Sequence, residues 1–259
     1  VINYTNPMSL CVKTLYHVFP QIKAFGCCHE VFGTQKLLAQ IAECELGITD
    51  IKRDEIIVNV LGLNHFTWFD SASYKGIDLF PVYRSFIEKH FEEGFEEEDK
   101  NWMNSTFSCA HRVKFDLFKK YGWIAAAGDR HLAEFMPPIY LKDPETVASW
   151  KFGLTTVTWR KEDLKKRLEK SKRLVSGEEQ VELNPSGEEG ILLIKALCGL
   201  TRVISNVNIP NTAGQIPNLP KSAVVETNAV FSRDSIAPVY AGNLTEEIRQ
   251  LMLPHVMNL

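Results

Sequence analysis

Residues 22–42 read IKAFGCCHEVFGTQKLLAQIA, and this stretch predicts a strand, a tight turn and a helix in that order. Its opening apolar run is typical of a buried strand, and its closing residues have the apolar spacing of a helix. The turn places a thiol, an imidazole and a carboxylate side by side, at Cys28, His29 and Glu30. Proteins of the α/β class hold their chemistry in loops on such a strand–helix frame. The cysteines alone are equally compatible with small buried hydrophobic side chains.

The composition is that of a globular protein without a strong charge bias. The chain has 259 residues, 45% of them hydrophobic and 24% charged, which suffices for one large domain or two small ones. A net charge of -3 gives no basic excess, so we expect no binding to nucleic acid. No apolar run approaches the roughly 20 residues that span a bilayer, and no signal peptide opens the chain, so we expect no membrane association. Six cysteines without CxxC pairs indicate reduced thiols and a cytoplasmic location.

Strand and helix patterns alternate along the first part of the chain, which favours an α/β fold. Asn6 and Pro7 predict a helix start, with Asn6 as the N-cap and Pro7 at the first helical position. The later pattern predicts a strand at 55–63, a hairpin at 66–80, one long helix from 143 to 172, a helix at 191–204 behind a capping box at Ser186 and Glu189, an irregular or edge segment at 207–220, and a strand at 223–230.

Three constellations of polar residues could carry chemistry. His65 follows the strand at 55–63, and with Cys28 (or Cys27) and His29 it offers soft and imidazole ligands for a transition metal. A lone histidine after a strand is more often a satisfied, non-catalytic one.

A second constellation is Asp129-Arg130-His131 with Glu134, which could supply a general base and acid, or only a local ion-pair network with Asp129 as an N-cap. The carboxamides of Asn6 and Asn64 suit the hydroxyl groups of a sugar, although the N-cap role already explains Asn6. The sequence contains no GxGxxG turn, P-loop or GxSxG elbow.

Five segments in one order, residues 3–8, 26–34, 62–66, 128–131 and 216–226, resemble glycoside hydrolase family 4, the NAD- and divalent-metal-dependent glycosidases. The resemblance implies α/β architecture with α+β character: a catalytic domain like the C-terminal part of lactate dehydrogenase, with a mixed sheet and several helices. It further implies that residues 1–259 are this domain, that residues 1–20 are the tail of an NAD-binding domain, and that the rest of that domain is absent here.

The resemblance also implies roles for individual residues. Cys28 and His65 would hold the metal, usually manganese, and Asp129 would be the catalytic base. Asn6, His29 and Asn64 would contact substrate, and Asn6 also the cofactor. The Cys-His-Glu-Val form at residues 28–31 is similar to the group that acts on α-galacturonides. A uronate carboxylate requires a cation, for which the candidates are Arg130, His131, His111 and Arg112.

The implied reaction is an oxidation–elimination–addition–reduction sequence and not the two-carboxylate route of most glycosidases. NAD would take hydride from C3 of the sugar, Asp129 would take the C2 proton, and hydride would return after water adds at C1. We expect a glycoside or oligosaccharide substrate, a homodimer or homotetramer, and no turnover by this chain alone. The alternatives are an inactive sugar-binding or subunit-association domain, and a neutral α-galactoside or α-glucoside as the substrate.

Overall fold

The computed structural model describes residues 1–96, 109–182 and 188–258, in which helices surround one sheet. The strands are β1 Ile2–Asn3, β2 Phe25–Gly26, β3 Ile56–Leu63, β4 Phe66–Tyr74, β5 Ile77–Asp78, β6 Ile124–Ala125, β7 Val203–Pro210, β8 Val224–Ser232 and β9 Ser235–Pro238. The helices are α1 Met8–Val18, α2 Glu30–Leu46, α3 Leu79–His90, α4 Arg112–Tyr121, α5 Asp129–Phe135, α6 Pro144–Ser149, α7 Val157–Ser176, α8 Gly190–Leu197 and α9 Glu246–Met257.

The sheet is mixed, as predicted. Its order is β1-β2-β7-β8-β3-β4-β5, with β6 added on β4 and β9 on β8. Strands β1 and β2 are parallel, and the other pairs are antiparallel. Because β2 enters α2 directly while β3 and β4 form a hairpin, the ends of β2 and β3 present their connecting residues as short, rigid turns.

The β3–β4 hairpin depends on a glycine near its turn. Gly62 has a φ of +148°, and a Cβ there would lie 2.5 Å from the carbonyl oxygen of Phe66. His65 itself has a φ of +65°, the left-handed region, which non-glycine residues rarely adopt. The tight turn that follows from this geometry holds Asn64 and His65 at the end of β3.

Buried apolar side chains pack on both sides of the hairpin. One cluster, around Phe66 and Trp68, includes side chains of α5 and α9, and another, around Phe69, includes side chains of α2 and α3. Cys27 packs with Phe25 and Phe231 in a third cluster, as expected of a small buried hydrophobic residue. Among the described residues no helix has the length and apolarity needed to cross a membrane.

Two predictions for the later chain were wrong. The segment expected to be irregular or at an edge, 207–220, begins with the second half of β7, which lies between β2 and β8. The rest of that segment contains no strand, as predicted. Pro210 is tolerated because it is the last residue of β7. The helix predicted at 191–204 ends at Leu197, since Gly199 turns the chain with a φ of +79°. Ser186 of the predicted capping box lies outside the described residues.

Three predicted helix boundaries also differ. The long helix expected from residue 143 to 172 is two helices, α6 and α7. Helix α1 begins at Met8 and not at Pro7, although the Asn6 side chain still accepts a hydrogen bond from the Met8 N–H at 3.3 Å. The N-cap of α5 is Gly128, and Asp129 is the first helical residue.

Candidate functional site

Three connections bring the predicted site residues together. Cys28 and His29 lie in the turn from β2 into α2, and His65 lies in the β3–β4 turn. Residues 128–131 follow β6 and begin α5, and β6 pairs with β4 beside that turn. Segments that are far apart in sequence therefore meet because their strands belong to one sheet.

The centre of the site is a cluster of two imidazoles and one carboxylate. Donor atoms of Glu30, His65 and His131 all lie within 4.8 Å of one another. The rings of His65 and His131 stack, with centroids 4.0 Å apart and planes at 25°. One oxygen of Glu30 lies 3.5 Å from Nε2 of His131, and the other accepts the Gly128 N–H at 2.7 Å.

The surroundings of this cluster set its charge. Burial, reinforced by nearby His131, lowers the pKa of His65 to about 4, so its imidazole is neutral at pH 7. Burial alone would raise the pKa of the Glu30 carboxyl, but His131, His65 and the Gly128 N–H hold that pKa below its ordinary value. The cluster therefore offers a carboxylate and a neutral imidazole at neutral pH, which are donors that divalent metals accept.

Cys28 lies beside this cluster but is not one of its three members. Its side chain is buried with Met8, Val12 and Val224. Burial, together with the charge of nearby Glu226, raises the pKa of the Cys28 thiol. A metal that binds Cys28 must therefore displace the thiol proton. The assignment of Cys28 and His65 as metal ligands stays a prediction, and Glu30 and His131 join His65 as further donors.

Several buried polar atoms near this cluster have no hydrogen-bond partner within the described part of the chain. Among the described residues, the amide nitrogen of Asn64, Nδ1 of His131 and both amide atoms of Asn208 are buried and have no hydrogen-bond partner. Buried polar groups in folded proteins are nearly always paired. These atoms and the cluster beside them fit a metal and a hydroxyl-rich ligand.

Glu226 is a site residue that the sequence reasoning matched to the family but gave no role. It is fully buried on β8 and accepts hydrogen bonds from Thr67 Oγ1 at 2.7 Å and from Asn206 Nδ2 at 2.9 Å. Asn206 Nδ2 also donates to the backbone oxygen of Cys28 at 3.2 Å. Burial raises the pKa of Glu226 to about 7. Glu226 therefore connects β4, β7 and the Cys28 turn.

Asp129 is fully buried, and its carboxylate faces helix α4. Its two oxygens accept the backbone N–H groups of Val113 at 3.0 Å and Lys114 at 3.2 Å. Burial raises the pKa of Asp129, and the Lys114 charge and these N–H donors oppose the rise. Asp129 thus anchors the start of α4, and its predicted role as a base stays a prediction.

A second group of potential ligands lies beside Asp129. Cys109, His111 and Asp129 have donor atoms within 4.8 Å of one another. However, the ammonium of buried Lys114 is 3.3 Å from Nδ1 of His111 and donates to Thr34 Oγ1 at 3.2 Å. A buried ammonium at that position disfavours a bound cation. This group is therefore a poorer metal site than the cluster at His65.

The other predicted contact residues are more exposed. His29 has a half-exposed ring whose Nδ1 lies 3.0 Å from a Glu188 oxygen. Asn6 is exposed at the start of α1, and Met8, two residues on, packs against Cys28. Of the four candidates for uronate recognition, His111 is buried, and Arg112 bonds to Glu92 and to backbone oxygens.

Arg130 and His131, the remaining two candidates, line a cavity of about 560 Å³. Arg160 and Lys161 on α7 line it as well, and sequence reasoning missed both because α7 has many charged residues that look like a solvated face. Since His131 also stacks on His65, the cavity adjoins the metal-competent cluster.

The protein is an α/β domain with a mixed sheet. Its neutral imidazole and carboxylate donors form a cluster of the kind that can bind a divalent metal. Residues 60–258 match the model of the family 4 glycosyl hydrolase C-terminal domain, and residues 1–44 match the family 4 glycosyl hydrolase model. The chain belongs to the family 4 glycosyl hydrolases.

Several relatives are named α-galacturonidase. The protein of Lachnoclostridium phytofermentans is 73% identical over all of this chain, which spans 56% of that relative. The Bacillus subtilis α-galacturonidase is 52% identical over 100% of this chain and 57% of its own length. An α-galactosidase of Bacillus subtilis is 28% identical over 96% of this chain and 53% of its own length. The chain thus spans a little over half the length of the relatives it matches.

Solved structures confirm the predicted fold class. The crystal structure of lplD from Bacillus subtilis matches with a TM-score of 0.92 and 52% identity, over 100% of this chain and 58% of that one. A 6-phospho-α-glucosidase from gut microorganisms, in complex with NAD and Mn²⁺, matches with a TM-score of 0.70 and 17% identity over 98% of this chain and 56% of that one. The second likeness concerns the fold alone.

Proposed function

We propose that the full-length protein containing this chain hydrolyses the α-glycosidic bond of α-galacturonides. The observation that carries the proposal is the identity of 73% to a relative named α-galacturonidase, against 28% to a relative named α-galactosidase. The donor cluster of Glu30, His65 and His131 supports it, because it offers a place for the metal that the family resemblance implies.

The residues present fit a divalent metal such as Mn²⁺, which Cys28 and His65 would hold, with Glu30 and His131 as the neighbouring donors. Bound there, the metal would supply Lewis acidity, and NAD, held mainly by the part of the protein outside this chain, would accept and return hydride at C3 of the sugar. The lowered pKa values of Glu30 and His65 favour a carboxylate and a neutral imidazole, which are the forms that bind a metal.

Asp129 is the proposed proton acceptor at C2 of the sugar. Its pKa, raised by burial, is shifted in the direction that a general base needs at neutral pH. The same carboxylate also anchors α4, so the two roles must be separated by experiment. The side chains of Asn6, His29, Asn64, Arg130 and His131 are the proposed substrate contacts, and Asn6 would also touch the cofactor.

An inactive sugar-binding or subunit-association domain is the competing function. The proposed substrate-contact residues would serve such a domain equally well, but a binding domain has no need of the metal donors Glu30, His65 and His131. A homodimeric or homotetrameric state, a cytoplasmic location, and residues 1–20 as the tail of an NAD-binding domain stay predictions.

The proposal is tested with full-length protein, NAD and Mn²⁺ on the p-nitrophenyl α-linked glycosides of galacturonic acid, glucuronic acid and galactose. We expect the highest kcat/KM on the galacturonide. Cys28→Ser and His65→Ala should each remove most of this activity and weaken Mn²⁺ binding, which equilibrium dialysis measures without turnover. Full activity of Cys28→Ser at saturating Mn²⁺, or a preference for the galactoside, would contradict the proposal.

A further inference from the structure

The cavity beside His131 has a predominance of positive charge. Within the part of the chain that the structure describes, its lining includes three permanent cations, Arg130, Arg160 and Lys161, and one carboxylate, Glu134. Its volume of about 560 Å³ lies within the range of about 300–1,000 Å³ that is usual for small-ligand sites. A cavity of this size and charge suits a sugar that bears an anionic group.

The cavity is connected to the proposed reaction site through one side chain. His131 lines the cavity and also stacks on His65, with ring centroids 4.0 Å apart. A sugar at the cluster of Glu30, His65 and His131 would therefore extend part of its ring or a substituent past His131. The charged groups it would meet there are those of α5 and α7.

We propose that this cavity binds the carboxylate of the uronic acid whose glycosidic bond is cleaved, and that Arg160 and Lys161 select this sugar over a neutral one. The inference rests on the proposed function, since it names the residues that give that site its substrate class. Arg160 and Lys161 thereby have a binding role on α7, a helix whose charged sequence is otherwise typical of a solvent-exposed surface.

Arg160 is positioned for this role by a neighbour in the wall of the cavity. Its Nε donates to Thr155 Oγ1 at 2.9 Å, which restrains the guanidinium at the wall of the cavity. A guanidinium held in this way can donate two parallel hydrogen bonds to a carboxylate. Lys161 adds a mobile point charge, and across the cavity Arg130 Nε donates to His131 Nε2 at 3.3 Å.

The first test uses full-length protein with NAD and Mn²⁺ and compares kcat/KM on p-nitrophenyl α-galacturonide and p-nitrophenyl α-galactoside. Arg160→Gln should lower the ratio of the two values about 10- to 100-fold, the scale of a charge-assisted hydrogen bond. Lys161→Gln should lower it less, and Arg160→Lys should fall between wild type and Arg160→Gln. Arg167→Gln is the matched control, because Arg167 lies on the same helix, pairs with Asp163 and does not line the cavity.

The second test measures binding without turnover, so that it also decides the matter if the wild type cleaves no glycoside and the proposed function fails. Calorimetry should show a dissociation constant for galacturonate that rises at least about tenfold in Arg160→Gln, while that for galactose is unchanged. Equal effects on both sugars, or none in Arg160→Gln and Lys161→Gln, would overturn the proposal. The proposal would also be overturned if the wild type bound galactose 6-phosphate more tightly than galacturonate. A loss of kcat/KM in Arg160→Gln only on substrates that carry a second uronate in the leaving group would overturn it too.

Discussion

At the scale of single residues, the environment shifts the pKa values of three carboxyl groups in different directions. Nearby imidazoles and one N–H hold the pKa of Glu30 low, whereas burial raises the pKa of Glu226 to about 7 and also raises that of Asp129. Neighbouring carboxyl groups with separated pKa values are a common way to divide roles in a site. Here the division leaves Glu30 as the charged donor and Asp129 as the group suited to take a proton.

The substitution Asp129→Asn separates the base role from the anchoring role. If Asp129 is the base, kcat on the galacturonide should fall about 100- to 10,000-fold. The lost acceptor at the start of α4 should also cost about 1–3 kcal/mol of stability, seen as a lower Tm. Rate assays and thermal unfolding of the same preparation measure both effects.

Asp116→Asn provides the matched control for this experiment. Asp116 also lies on α4 and accepts hydrogen bonds from Tyr140 and Lys120, so its loss should lower Tm without a specific loss of kcat. If Asp129→Asn lowers Tm but retains the wild-type kcat in its folded fraction, Asp129 is an anchor and not the base.

Single-residue chemistry was only partly visible in the sequence. His65 was identified because it follows a strongly apolar strand, and Cys28 and His29 because they lie in a strand-to-helix turn. Glu30 was noted in the same turn but was given no role. The stacking of His131 on His65 could not be predicted, since the two residues are far apart in sequence and meet only through the pairing of β6 with β4. The same holds for Arg160 and Lys161, which local patterning assigns to solvent.

At the scale of elements, strands and helices with strong local signals were predicted well. The runs that became β3, β4 and α2 are local features of this kind. Strand β7 was missed because its two asparagines and its final proline disfavour a strand locally, whereas its neighbours β2 and β8 supply the pairing that stabilises it. A local sequence pattern does not show which strands will pair with a segment in the folded protein.

The buried carboxyl on β8 makes the packing of these strands depend on pH. The pKa of Glu226 is about 7 in the folded protein, above its ordinary value of 4.5. Between about pH 4.5 and 7 the folded state therefore binds more protons than the unfolded state, and stability falls as pH rises. At about 1.4 kcal/mol per pH unit the full effect is about 3 kcal/mol at most.

Urea unfolding of the metal-free protein at pH 5 and pH 7 measures this effect. Glu226→Gln should remove most of the difference in unfolding free energy between the two pH values, because the titrating group is gone. Glu247→Gln, at an exposed position on α9, should leave the difference as in wild type. Equal pH dependence in wild type and Glu226→Gln would show that Glu226 does not titrate in this range.

At the scale of the whole molecule, the chain covers only part of the length of its relatives. It spans 56% of the length of its relative in Lachnoclostridium phytofermentans, and it belongs to a family identified here by its C-terminal domain. The donor cluster, the basic cavity and the Glu226 network all lie within this part. We therefore propose that this chain supplies metal binding, proton transfer and recognition of the uronate, and that the rest of the protein supplies most of the NAD-binding site.

The most direct test is hydrolysis of p-nitrophenyl α-galacturonide by the full-length protein in D₂O, with NAD and Mn²⁺ present and the released sugar analysed by NMR. We predict deuterium at C2 of the galacturonic acid, because in the proposed reaction the C2 proton is removed and replaced from solvent. Free galacturonic acid kept in the same buffer without protein should retain hydrogen at C2. Hydrolysis by the protein that leaves C2 without deuterium would contradict the account and indicate a two-carboxylate displacement instead.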